Sequence, residues 1–334
     1  MPGVDGATAE GLVAARPLLA RRVEAEWRAA ARRNVRIVTP DTEEYPSMIA
    51  ALHDAPIVLY VRGEVPEGRV RVALVGARRA SAYGRQLARG LASELAGRGV
   101  EVVSGGARGI DTCAHRAALA AGGRTVAVMG SGMACPYPTE NEELFDAIAV
   151  SGALISEFPM EMPPLAENFP RRNRLIAVLA AATVVVEARA RSGALITAGH
   201  ALEYGREVMA VPGPVTSETS AGCHRLIQQG AKLVEDAADI LEELSPMYQN
   251  ALPAGPGTTA PEAPDPAEPT ADEAAVLALF DDPRPVHVDR IAESAPFGMA
   301  RLNPALLGLV LGGRLDPLPG GYYVARPRKG PVEP

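Results

Sequence analysis

Between residues 69 and 244 the chain repeats one pattern: a short apolar run, a glycine- or proline-bearing turn, then apolar residues at helical spacing. The run Val70-Arg71-Val72-Ala73-Leu74-Val75 enters Gly76-Ala77-Arg78-Arg79-Ala80-Ser81, after which Leu87, Leu91 and Leu95 fall on one stripe of a predicted helix. Residues 100–103 run into Ser104-Gly105-Gly106-Ala107-Arg108-Gly109-Ile110-Asp111, with Asp111 as the expected N-cap of a helix carrying His115. Residues 125–129 lead to Gly130-Ser131-Gly132, and residues 152–156 end at Glu157. A long apolar run ends in Thr183-Val184-Val185-Val186 and closes at Glu187, and residues 207–211 stop at Pro212-Gly213-Pro214. Uninterrupted apolar strands are strands buried on both faces. Alternating with helices, they predict an α/β fold with a mostly parallel sheet, right-handed crossovers and ligands at the carboxyl ends of the strands.

The flanks follow other patterns. Residues 1–34 read as a mobile start followed by a short helical segment, with Leu18, Leu19, Val23 and Trp27 at helical spacing. Short strands are expected at 35–39 and 57–61 around a helix near 43–52. Residues 246–272 hold seven prolines and few bulky apolar side chains, the composition of a linker. Helical spacing resumes at Val276, Leu277 and Phe280, and again at 288–292 and 302–311, and the glycine-rich close around Tyr322-Tyr323-Val324 reads as a hairpin. Three short helices and a hairpin predict a small C-terminal winged-helix domain over 273–326.

Composition narrows the function. A chain of 334 residues predicts two domains or more, and 47% hydrophobic with 22% charged residues is ordinary for a globular protein. The net charge of −7 counts against a polyanionic partner until it is located, because residues 232–273 hold one lysine and ten acidic residues. The rest of the chain carries a slight positive balance, which leaves room for a basic cleft. Lys232 and Lys329 are the only lysines, so no P-loop or Schiff-base lysine occurs in the glycine loops. Cys113, Cys135 and Cys223 are scattered and odd in number, which fits a reducing cytosol and no metal knuckle. The start lacks signal-peptide regions, and the longest apolar run, 175–186, is too short for a bilayer. A cytoplasmic protein with no membrane partner, cofactor or metal is expected.

The candidate chemistry lies in arginine-bearing loops. Gly76-Ala77-Arg78-Arg79 lacks dinucleotide spacing, whereas Gly105, Gly106 and Gly109 around Arg108 read as a phosphate cradle of backbone N–H groups. Phe169-Pro170-Arg171-Arg172-Asn173-Arg174 sets three guanidinium groups around one aromatic ring, and Ser192-Gly193 opens the turn after Glu187. Aromatic and arginine together suit a polyanion with flat faces, as single-stranded nucleic acid is. The alternative is solvated helix ends with Phe169 in the core. Asp111 and His115 share a helix face without a third ligand, which favours a cap and an ordinary histidine, and Glu157 and Glu187 read as strand-end partners of arginines.

These segments, together with Tyr137-Pro138-Thr139-Glu140-Asn141, Ser192-Gly193-Ala194-Leu195-Ile196-Thr197-Ala198 and Val211-Pro212-Gly213-Pro214, resemble the DNA-processing protein A family, also called Smf, from about residue 35 to 244. The resemblance implies a Rossmann-like, doubly wound domain over 35–245 that binds single-stranded DNA, forms a homodimer and loads the RecA recombinase during natural transformation. By that likeness the DNA pocket is lined by Arg78, Arg79, Gly105, Gly106, Arg108, Gly109, Phe169, Arg171, Arg172, Asn173, Arg174, Ser192 and Gly193. The arginines would hold phosphates, glycine-loop N–H groups would add hydrogen bonds, and Phe169 would stack on a base. The departures are Gly106, where a leucine is usual, and Ala166, where some relatives offer a lysine. The rival is a nucleotide phosphoribohydrolase on the same fold, opposed by a 192–197 loop that lacks that family's catalytic glutamate.

Overall fold

The computed structural model describes residues 6–244, 270–280, 286–311, 314–318 and 322–325. The chain divides into two compact units, Met1–Gly255 and Pro256–Pro334.

In the first unit, α1 (Gly6–Ala31) leads into β1 (Arg36–Val38), α2 (Ser47–Ala50) and β2 (Leu59–Gly63). The repeating region then gives β3 (Arg71–Gly76), α3 (Ala82–Gly97), β4 (Glu101–Ser104), α4 (Ile110–Ala120), β5 (Thr125–Val128), α5 (Glu142–Ser151) and β6 (Ala153–Ser156). It continues through α6 (Asn168–Leu179), β7 (Ala182–Glu187), α7 (Gly193–Glu203), β8 (Glu207–Ala210), α8 (Ala221–Gln228), β9 (Lys232–Leu233) and α9 (Ala237–Glu243). One sheet in the order β1-β2-β6-β5-β4-β3-β7-β8-β9 joins all nine strands. The pairs from β6 through to β9 are parallel, while β1 and β2 are antiparallel additions at one edge. The expected doubly wound, mostly parallel sheet is present.

Both faces of the sheet are buried, as the uninterrupted apolar runs require. Val72 and Leu74 of β3 pack with Leu91 and Leu95 of α3, while Ala73 and Val75 face Leu175, Ile176 and Leu179 of α6. The apolar run from residue 175 is therefore two elements, a helix to Leu179 and a strand from Ala182. The Leu19, Val23 and Trp27 stripe of α1 is exposed, and α1 packs through Ala29 and Ala30. At the amino edge Glu101 is buried between Arg71 Nε (2.8 Å) and Arg124 Nε (2.6 Å), so both cations there have a carboxylate partner.

The second unit contains α10 (Ala271–Leu277), β10 (Val286–His287), α11 (Val288–Ser294), α12 (Met299–Leu311), β11 (Leu315–Leu318) and β12 (Tyr322–Ala325). The three strands form an antiparallel sheet in the order β10-β12-β11, the expected winged helix. The predicted linker lies outside the described residues up to 269. Its end is helical: Thr270 caps α10, accepting from Glu273 N–H (3.3 Å) and donating its own N–H to Glu273 Oε2 (2.8 Å). Val276, Ile291, Leu302, Ala305, Leu306 and Leu309 lie in the core. Among the described residues no helix is long and apolar enough to cross a membrane.

His115 on α4 is fully buried, with Nδ1 2.7 Å from Thr125 Oγ1. The Thr125 hydroxyl donates to Val102 O (2.6 Å), so it accepts from Nδ1–H and leaves Nε2 bare and unpartnered. Burial, aided by the Arg172 charge, pushes the imidazole from 6.5 down to about 3. Because the folded value is depressed, this contribution is complete above pH 6.5 and is lost as pH falls below it. Between pH 6.5 and 5 the loss is about 1.6 kcal/mol. Urea unfolding at both pH values should show His115→Asn losing about that much less than the parent protein.

Candidate nucleic-acid interface

Strand β3 is where the winding reverses: β4, β5 and β6 extend to one side of it and β7, β8 and β9 to the other. The loops after β3 and β7 diverge there and leave a crevice at the carboxyl edge. It is a cleft of about 580 Å³ whose lining includes Arg78 from the first loop, Arg191, Ser192 and Gly193 from the second, and Phe169, Arg172 and Asn173 from α6. Tyr137 and Ala166 complete the rim.

Phe169 occupies the first turn of α6 and is half-buried, so the ring is neither core nor free. Arg78 lies over one face with its guanidinium carbon 4.8 Å from the centroid, Arg172 lies 5.9 Å away, and Tyr137 meets it edge-on at 5.8 Å. Gly130 makes that position possible, since a Cβ there would sit 2.6 Å from Phe169 Cδ1. A T-shaped aromatic partner and a stacked cation fix the ring orientation.

The glycine loop works differently from its sequence reading. The N-cap of α4 is Gly109, and Asp111, the second residue of the helix, reaches back to accept the N–H groups of Gly105 (3.1 Å) and Ala107 (3.3 Å). The expected phosphate cradle is thus filled by the protein's own carboxylate, whose pKa burial raises against the lowering pull of Arg172. The glycines answer to close packing. A Cβ on Gly105 would meet the Arg172 guanidinium at 2.6 Å, one on Gly106 the Phe145 ring at 2.6 Å, and Gly109 (φ +80) backs onto Ala77 O. Asn141 closes the loop by donating to Gly106 O (3.1 Å) and Thr112 Oγ1 (2.7 Å).

The arginines sort into three kinds. Arg172 is 3% exposed and donates through one terminal nitrogen to Gly105 O (2.7 Å) and to Val128 O; burial lowers its pKa to about 10. Arg174 leaves the cleft altogether and bridges Asp54 Oδ2 (2.9 Å) and Glu157 Oε2 (2.8 Å), both beyond the cleft lining. Arg108 and Arg171 are exposed but paired. Arg108 is clamped in bidentate fashion by Glu140 and bonded to Tyr137 Oη (3.0 Å), while Arg171 stands 3.4 Å from Glu157 and over Phe158. Arg78, Arg79 and Arg191 are exposed, with no carboxylate partner among the described residues. Asn173 donates to Gly193 O (3.2 Å), and Ser192 caps α7 by accepting from Ala194 N–H (3.3 Å).

Sequence reasoning passed over Tyr137, Gly130, Glu140 and Arg191 as site residues, although the first three lie in segments already singled out and Arg191 directly precedes another. Glu187, the carboxylate a hydrolase would need, is buried and accepts the Ser81 N–H (2.9 Å) at the start of α3. Gly84 lacks a Cβ where Glu187 Oε2 would stand 2.2 Å away.

Over residues 36–245 the chain matches the family described as DNA recombination-mediator protein A, and over 260–321 the DprA winged helix domain. The chain belongs to the DNA recombination-mediator protein A family. It is 42% identical over 297 residues to Protein Smf of Escherichia coli K12, covering 88% of this chain and 78% of that protein. The X-ray structure of DNA processing protein A from Streptococcus pneumoniae superposes with TM-score 0.60 at 40% identity, covering 63% of this chain and 74% of that one. DNA processing protein A from Helicobacter pylori, whose structure was determined for its single-stranded DNA binding mode, gives TM-score 0.56 at 29% identity over 61% of this chain and 94% of that one.

The Arg174 geometry generates a stability test. Glu157 is almost fully buried, so Arg174→Ala leaves a charge without its closest partner and should cost about 3–5 kcal/mol in urea unfolding. Adding Glu157→Gln should recover most of that loss.

Proposed function

We propose that the cleft binds single-stranded DNA and that the protein acts as a non-enzymatic recombination mediator that loads RecA. The observation that carries this reading is Phe169, half-buried at the topological switch point with Arg78, which has no carboxylate partner among the described residues, against its face. A base stacks on the ring, while Arg78 and Arg191 on the open rim, with Arg79 just outside it, neutralise phosphates on either side. Arg172 and Asn173 act from beneath, fixing the floor on which the ring stands. The recombinase partner, the homodimer and the cytoplasmic location come to the reading from family membership. Against the phosphoribohydrolase alternative stand the 192–197 loop without a glutamate and a Glu187 turned inward to Ser81.

Fluorescence anisotropy with single- and double-stranded oligonucleotides across a salt series tests the reading. Single strands should be favoured, and affinity should fall with salt at a log–log slope of about −0.7 per phosphate contact. Phe169→Ala should cost about 1–3 kcal/mol of affinity, up to roughly a hundredfold, with little change in slope. A protein that binds duplex as tightly, or that ignores the loss of Phe169, would sink the stacking mechanism.

Glu140→Gln gives a change of opposite sign. Releasing Arg108 from its clamp should tighten single-strand binding and steepen the slope by about 0.7, the equivalent of one added contact. Incubation with nucleoside monophosphates should show no turnover.

A further inference from the structure

A second, shallower depression of about 340 Å³ adjoins the cleft and shares Arg78 with it. Its lining carries the guanidinium groups of Arg78, Arg79, Arg85, Arg108 and Arg116 against the single carboxylate of Glu140. Arg85 lies in the first turn of α3 and Arg116 in the second turn of α4, two helices packed against each other. Glu140 is already taken up by both sides of Arg108. Arg79 and Arg116 are exposed and have no hydrogen bond or ion pair among the described residues, and Arg85 gives one nitrogen to Ala80 O. One turn further along α3, Arg89 repeats the charge of Arg85 at the i,i+4 position, an arrangement that destabilises a helix. An ordinary solvated helix face in a protein of net charge −7 interleaves both signs.

We infer that this groove is a phosphate track, in which the strand that stacks on Phe169 leaves the cleft past Arg78 and runs over Arg79, Arg85 and Arg116. The inference rests on the proposed single-strand cleft and extends it to residues outside that cleft. Continuity decides for the same strand over a separate ligand, because Arg78 faces both depressions and Phe169 stands beside it. The track contains no aromatic side chain, so it holds backbone phosphates without stacking bases and adds length to the site without sequence preference.

The test compares the parent protein with the Arg85→Gln/Arg116→Gln double variant by anisotropy, using oligothymidylates of about 4 and about 16 nucleotides, the span of common single-strand site sizes. Removing two contacts should shallow the salt slope on the long oligomer by about 1.4. Between 50 and 200 mM salt the parent should then lose about sevenfold more affinity than the variant, with no difference on the short oligomer. Arg116→Glu, at a side chain without a hydrogen bond among the described residues, serves as the second variant, and equal urea midpoints certify the folds. An unchanged slope on the long oligomer overturns the track while leaving the cleft standing. Equal losses on both lengths also overturn it, by placing these arginines within the cleft. A duplex that competes as well as the long single strand would overturn it in favour of a duplex surface. A parent protein that binds neither oligomer removes the cleft reading, and this inference with it.

Discussion

The site depends on one buried cation. The Arg172 guanidinium is held between Gly105 O at the end of β4 and Val128 O at the end of β5, with the Asp111 carboxylate supplying the opposite charge. Removing a guanidinium from water is costly, and it is tolerated where carbonyls and a counter-charge replace the solvent. Here those acceptors belong to different strands and a loop, so one side chain on α6 fixes the carboxyl ends of β4 and β5 relative to the helix that presents Phe169. Gly105 is the condition for this arrangement, since any Cβ would collide with the guanidinium. The fold and the site meet at that contact.

Charge is distributed accordingly along the sheet. At the amino edge Arg71 and Arg124 converge on a buried Glu101, two guanidinium groups sharing one carboxylate. At the carboxyl edge the carboxylates are used up internally: Asp111 binds loop N–H groups, Glu187 binds Ser81 N–H, and Glu157 is shared by Arg174 and Arg171. Arg78, Arg79 and Arg191 are left facing solvent on that edge, without a carboxylate partner among the described residues. A protein of net negative charge can thereby present a positive rim, because screening limits the reach of distant acidic segments to about 10 Å at ordinary ionic strength.

Much of this was legible in the sequence, and the parts that were not share a cause. Strands β3 to β8 announced themselves because strands covered on both faces must be apolar throughout, whereas β9, two half-exposed residues at the sheet edge, carries no such signal. Residues 175–186 hid a helix because a helix buried on most sides is as apolar as the strand that follows it. Asp111 looked like a cap because Asp before an apolar stretch is a cap in most helices, yet the positive φ at Gly109 started the helix earlier. The burial of Arg172 and Arg174 had no local signature at all. Arginine reads as surface, and only the tertiary meeting of α6 with distant acceptors makes these two interior. Phe169, conversely, was placed between core and ligand by its neighbours, and it occupies that intermediate position.

The self-filled cradle at Asp111 also bears on what kind of anion the cleft selects. A small phosphate is best held by converging backbone N–H groups at a helix start, a geometry that fixes its position and rewards a compact ligand. In this chain the loop amides of Gly105 and Ala107 are already bound, leaving side-chain guanidiniums on flexible stems as the cationic groups of the rim. Such groups tolerate shifts of a phosphate along the rim and gain strength by number, which favours a polymer over a single nucleotide. The half-exposed Phe169 acts in the same direction, since every base offers a flat face to the ring. On the proposed reading, such a surface would follow the repeating backbone of a single strand whichever base it carries.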